Sequence, residues 1–212
     1  MSKKIAYLGI SITALTMAAC GSSQGAQVLT VPTTRAPLHH VDGLYVGNYK
    51  GNDRQAIVAA KKFEDAYNTL AFELLGKTSS SAAIAATESQ LRLYASAPLY
   101  TNTVALWTQD ANSGDTATLV KGTVPSNGTD NTPATVTADP SNPHDLDVIL
   151  CGYNDIQETG LPGNSGDAGL WSNTDRMSKV NNRWIVAGFV SSSVVTACPV
   201  NRPFLSRYSK RG

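Results

Sequence analysis

Three thiols, one histidine–carboxylate cluster and one serine in a glycine-rich turn are the side chains of this 212-residue chain whose types and spacing could do chemistry. Cys151 and Cys198 could pair with each other, stay as two buried thiols, or belong to a metal site. Two cysteines with no histidine close in sequence fall short of the four ligands a structural metal takes. His144, with Asp145, Asp147 and nearby Asp139, matches no calcium-loop spacing and reads as the solvated lead-in to a strand. Ser165, in Gly163-Asn164-Ser165-Gly166-Asp167, lacks the final glycine and the strand-to-helix context of a nucleophile elbow. Asp110, Asp155, Glu158 and Asp167 could meet across a cleft, but no spacing requires it. Tyr67 with Asp147 is the acid–base pair to inspect. There is no phosphate loop, dinucleotide fingerprint, basic-aromatic stripe or repeat, so neither cofactor nor metal is expected.

The third thiol, Cys20, ends a segment that decides the compartment. Lys3 and Lys4 precede a mostly apolar run from Ile5, which closes on Ala18-Ala19. This is the layout of a secretory signal, too short for the ~20 apolar residues of a spanning helix. Met17-Ala18-Ala19-Cys20, followed by Gly21-Ser22-Ser23, resembles a bacterial lipobox, with Met17 where leucine is commoner. That resemblance implies cleavage before Cys20 and acylation of its thiol, including palmitate. The protein is then expected on the extracytoplasmic face of the cell membrane, with membrane lipid as its partner through Cys20. One acyl chain binds marginally and two or more hold stably, at ~0.8 kcal/mol per buried CH₂.

Loss of Lys3 and Lys4 with the leader takes the formal charge from +1 to −1. That balance gives no electrostatic reason to expect nucleic acid. With Cys20 assigned to lipid outside the reducing cytosol, the remaining cysteines, Cys151 and Cys198, are expected to form a disulfide. The loop of about 48 residues would be worth ~4 kcal/mol by closure entropy.

The elements that must position these groups fall into two halves. Residues 1–19 are the expected signal peptide and 20–51 a lipidated cysteine with a Gly/Ser/Thr/Pro-rich tether, in which His39-His40 is a solvated pair. Residues 52–200 form the domain and 201–212 a basic polar tail. Asn52-Asp53-Arg54-Gln55 has a capping-box layout. From Gln55 to Leu75 the stripe Ala59, Phe63, Ala66, Tyr67, Leu70, Ala71, Leu74 predicts a helix, with Lys61, Lys62, Glu64, Asp65 and Asn68 on the other side. A second helix is expected from Ser81 or Ala82 to about Ala97, and a third after Pro98, closing before Asn112-Ser113-Gly114. Strands are expected over Thr118–Val124, Ala134–Ala138, Leu146–Tyr153, Leu170–Val180 and Trp184–Cys198, with Asn154–Ala168 as loop and Asn181-Asn182 as turn. Helices first and an antiparallel sheet after predict an α+β domain. Phe63, Tyr67 and Trp184 are read as structural core, with Trp184 covering the first helix.

The strands LDVILCGYND (Leu146–Asp155) and KVNNRWIVAGFVSSSVVTAC (Lys179–Cys198) resemble those of small exported actinobacterial lipoproteins with an NTF2-like, cystatin-like domain. Asp147, Cys151, Arg176, Val180, Asn182, Trp184, Val186 and Cys198 are the matching residues. The resemblance implies N-terminal helices packed on a curved antiparallel sheet that forms a cone. The expected role is non-enzymatic: binding or scaffolding of a small apolar ligand or an envelope protein, with residues 154–168 as the rim. The alternative is a hydrolase or isomerase using the cone pocket. A pocket free of carboxylate and histidine would favour binding, and a buried acid with a strongly raised pKa would favour catalysis.

Overall fold

A computed structural model describes residues 40–41, 44–119, 132, 134–154, 156–160 and 169–196. The leader, Cys20, residues 21–39, Asp155, Ser165, Asp167, Cys198 and the 201–212 tail lie outside the described residues. No helix among the described residues is long and apolar enough to cross a membrane.

Helix α1 (Gly51–Gly76) is the spine of the domain. Ala56, Ile57, Ala59, Ala60, Phe63, Ala66, Leu70, Ala71 and Leu75 are buried along it, at the three- and four-residue spacing of a packed face. The four alanines in this stripe before Leu70 keep its flank thin, so neighbouring polar residues are drawn inside as well. The helix starts earlier than the expected capping box. Its N-cap is Lys50, without a side-chain cap bond, and Asn52 instead accepts from the Lys179 ammonium at 3.1 Å.

Helix α2 (Ser81–Tyr94) is capped by Ser80, whose hydroxyl accepts from the Ala83 amide. Helix α3 (Ala97–Ser113) is capped by Ser96, carries Pro98 in its first turn, and ends at Gly114 in the left-handed region. Both helices pack on α1.

Short strands β1 (His40–Val41) and β2 (Leu44–Tyr45) precede the helices, and Leu44 and Val46 are buried in the core. After α3 come β3 (Thr116–Leu119), β4 (Thr135–Ala138), β5 (Leu146–Asn154), β6 (Ile156–Thr159), β7 (Gly169–Val180) and β8 (Arg183–Val194). The sequence assigns β6 to a loop; it is a strand because Ile156 is buried and the segment completes a ladder with β3. The β7–β8 turn places Asn181 and Asn182 both at positive φ, as a tight hairpin requires.

The α+β organisation stands, but the NTF2-like cone does not. The main sheet runs β4-β5-β7-β8, all antiparallel, and is open rather than closed or strongly curled. Strands β3 and β6 pair with each other instead of extending it, and β4 has four residues, too few to wrap a cone. Among the described residues, the β8 edge is capped over its first half. Ala95 bridges to Val186 in parallel, the Ser96 amide donates to the Val186 carbonyl at 2.8 Å, and the Arg183 guanidinium donates to the Leu93 carbonyl. Phe189, Val190 and Val194, beyond the cap, are exposed.

Of the expected disulfide, Cys151 alone lies among the described residues; it is buried in β5 and disulfide-bonded. Cys198, its expected partner, lies outside the described residues, so the Cys151–Cys198 pairing is not found among them.

Candidate functional site

The chemistry gathers where α1 crosses the inner face of β7. Along β7, Trp171, Asn173, Asp175 and Met177 share one face by strand alternation. Across the ladder they meet Leu150, opposite Asn173, and Val148, opposite Asp175, both buried. Glu64 reaches this face from α1, four residues after Ala60 and seven after Ile57, on the helix's buried side.

Asn173 Nδ2 donates to Glu64 Oε1 in a short hydrogen bond and to Asp175 Oδ1 at 2.9 Å. One amide group therefore holds two carboxyls. Glu64 is 3% exposed, Asn173 3% and Asp175 0%. Asp175 Oδ2 and Asn173 Oδ1 have no hydrogen-bond partner among the described residues. Burial pushes the Glu64 carboxyl up to about 7, with the hydrogen bonds from Asn173 and Asp175 holding it back. Asp175 is driven well above the carboxylate range by burial, then by the charge of Glu64 and a hydrogen bond to it. A hydrogen bond between two carboxyls requires a proton on one of them.

One turn along α1, Tyr67 sits in an aromatic cluster. Its ring is edge-on to Trp107 at 5.4 Å and to Phe189 at 5.6 Å, with Phe63 at 5.8 Å. Burial raises its hydroxyl pKa, reinforced by Glu64, Glu158 and Asp110. Glu158 of β6 and Asp110 of α3 are both raised, by burial first and then by their acidic neighbours. Asp115 follows the α3 cap and lies against Gly160, where a Cβ would collide with its carboxylate. Glu158, Asp110 and Asp115 thus act on one another, and Tyr67 feels Glu158, Asp110 and Glu64.

Other sequence candidates sit elsewhere. Asp147 alternates with Val148 on β5, so it lies on the sheet face away from α1, and Tyr67 does not meet it. It faces Arg176, whose Nε is 2.6 Å from Asp139 Oδ2 and 3.7 Å from Asp147 Oδ1. The 2.6 Å contact is close, yet the Nε–H does not point along it, so it is an ion pair rather than a directed hydrogen bond. Burial raises Asp147, Asp139 adds to that, and Arg176 opposes it. His144 belongs to the turn before β5, where Asn142 accepts from its amide and donates to Asp145. Among the described residues no group of three or more His, Cys, Asp or Glu is placed to hold a metal. Phe63 is fully buried, and Trp184 is buried in the same core, with the Lys179 ammonium 5.8 Å from its ring centre.

An open groove of about 610 Å³ runs along α3, lined by Tyr100, Val104, Ala105, Thr108, Gln109 and Asn112 among others. These positions lie on the side of α3 away from Thr103, Trp107 and Asp110, so the groove does not open on the acid pair.

Sequence reasoning placed Lys61 and Glu64 on the solvent side of α1 and passed over Asn173 and Asp175. Lys61 is fully buried: its ammonium donates to the carbonyls of Tyr45 at 2.8 Å and Thr132 at 2.7 Å. The available signals were the i+4 step from Ala60 to Glu64 and the alternation that puts Asp175 on the face of Met177.

No protein family matches this chain, and no curated protein does. Among solved structures, the intermembrane space region of the chloroplast protein ARC6 is similar at 12% identity. The match covers 66% of this chain and 97% of that one at a TM-score of 0.40, a likeness that carries no argument.

Proposed function

We propose that this chain is a lipid-anchored, extracytoplasmic envelope protein whose domain binds or scaffolds rather than catalyses. Cys20 holds it to the membrane. The α3 groove takes a small apolar ligand or a segment of an envelope protein. The observation that carries this reading is the lining of that groove, which has a tyrosine, Val104, Ala105 and neutral polar groups, but no carboxylate, histidine or cysteine. The groups with chemical potential, Glu64 and Asp175, are closed within the core.

The test has two arms. Cys20→Ala in the host should release the chain from membranes and block precursor processing; unchanged retention sinks the anchor. Val104→Trp should fill the groove and abolish binding of an apolar fluorescent probe such as anilinonaphthalene sulfonate. Equal probe binding by the parent and the variant removes the groove from the reading.

A second reading, acid–base catalysis by a hydrolase or isomerase, is favoured by one observation: Glu64 is tuned to about 7 beside Tyr67. It requires α1 to lift so that substrate can reach the acid. Activity against an ester or enolisable ketone panel that vanishes in Glu64→Gln and survives in Val104→Trp would establish it over the first.

A further inference from the structure

The Glu64–Asn173–Asp175 cluster joins the first long element of the domain to the penultimate strand through three buried polar side chains. Among the described residues these groups surround it. From α1 come Glu64 itself and Tyr67, while Lys61 is turned to the Tyr45 and Thr132 carbonyls. Near Tyr67 are Asp110 of α3 and Glu158 of β6, both acids, with Asp115 of the α3–β3 turn close to both. From β5 and β8 come the apolar side chains Val148, Leu150, Val186 and Phe189. Arg176 and Asp147 lie on the opposite face of the sheet. Among the described residues, neither Glu64 nor Asp175 has a cationic partner.

Two buried carboxylates joined through a single amide, with no cationic partner among the described residues, cannot both carry charge: their repulsion in this surrounding is far larger than in water. At least one proton is bound whenever α1 is docked. It bridges Asp175 and Glu64, and the Asn173 amide supplies the remaining donors. If α1 lifts from β7, both carboxyls reach water and ionise at ordinary carboxylate values, and the proton passes to solvent.

We propose that Glu64 and Asp175 form a proton-dependent clamp between α1 and β7, closed while the pair holds its proton and weakened as pH rises. The opening exposes the Phe63 and Tyr67 rings, which now pack against each other and against Phe189. Because the docked state binds at least one proton more than the lifted state, linkage sets the size of the effect: docking weakens about tenfold per pH unit for each proton released.

Hydrogen exchange of the full chain from pH 6 to pH 8, corrected for intrinsic rates, reads the clamp directly. Amides of α1 and β7 should lose protection about tenfold per pH unit, and by pH 8 they should open more readily than those of β4. The isosteric double variant Glu64→Gln/Asp175→Asn, which cannot ionise, should be flat. The proposal is overturned if the double variant keeps the same slope, if the parent is flat, or if α1 and β7 open no more readily than β4 at pH 8, which would make the slope global stability alone and not a clamp. Should the double variant fail to fold, the infrared carboxyl band of the parent decides. A protonated carboxyl persisting at pH 7.5, and lost in Asp175→Asn, supports the clamp; its absence from the parent ends it.

Discussion

The ammonium of Lys61 lies 2.7 Å from the carbonyl oxygen of Thr132, seventy-one residues further along the chain, and 2.8 Å from that of Tyr45. A buried lysine gives its charge to two backbone acceptors. Lys61→Ala should therefore cost about 2–4 kcal/mol, as a cavity appears and two carbonyls lose a charged donor. Its neighbour Lys62, whose ammonium lies over the Tyr94 ring at 5.9 Å, should cost under about 1 kcal/mol when changed to alanine. Urea titration of both variants measures the contrast; equal losses would contradict it.

Stability should fall as pH rises from about 4.5 to about 7. The Glu64 carboxyl has its ordinary value, 4.5, in the unfolded chain and about 7 in the folded one. In that interval the unfolded chain has given up its proton and the folded chain has not. The favourable contribution is complete below 4.5 and gone above 7, a change of ~3 kcal/mol for Glu64 alone. Asp175 and Glu158 are raised in the same direction and add to the slope. Urea midpoints at pH 4.5, 6 and 7.5 check the sign, and a midpoint that climbs with pH refutes it.

Arg176 is the cation of the outer sheet face, set between Asp139 and Asp147. Its side chain is more than one-third exposed, so solvent screens part of the interaction. Arg176→Met should cost about 1–2 kcal/mol. It should also let the Asp147 pKa rise further, because Arg176 is what restrains it. Carboxyl carbon NMR titration of Asp147 in parent and variant gives the second readout.

Gly160 faces the Asp115 carboxylate with no room for a methyl group, and Asp115 is itself buried. Gly160→Ala should cost about 1–3 kcal/mol by overpacking. Gly188, on the uncapped part of the β8 edge, has nothing near its missing Cβ, and Gly188→Ala should stay within about 0.5 kcal/mol. Thermal melts of the pair separate a steric requirement from glycine content.

The elements were legible in the sequence to the extent that local chemistry decides them. Pro98 and Gly114 bound α3, and the Asn181-Asn182 turn reverses β7 into β8; the end of α2 was not legible, since the expected helix ran through Ser96, which instead caps α3. What local chemistry does not decide is pairing. The cone was expected by resemblance, whereas β3 chose β6, a strand too short and too polar to stand out from its loop. The site was lost for a related reason. Lys61 and Glu64 look solvated by type, and only the thin alanine stripe beside them, which lets β7 approach, brings them inside. Asn173 and Asp175 alternate with Thr174 and Arg176 as any two-faced strand does, so polarity alone could not say which face meets a helix.

The contact between Glu64 and Asn173 spans 109 residues, and it sets the order in which the chain can become a protein. Synthesis delivers three helices first. Their shared inner surface is met only in part by β3, β5 and β6 until residues 169–194 emerge, so the early chain carries an incompletely covered apolar face. Closure of that long loop is a non-local step of the kind that makes for slow folders. A ribosome stall or a truncation anywhere before β7 leaves the helices without the surface they were shaped to meet, and such an intermediate is one that chaperones hold or proteases remove.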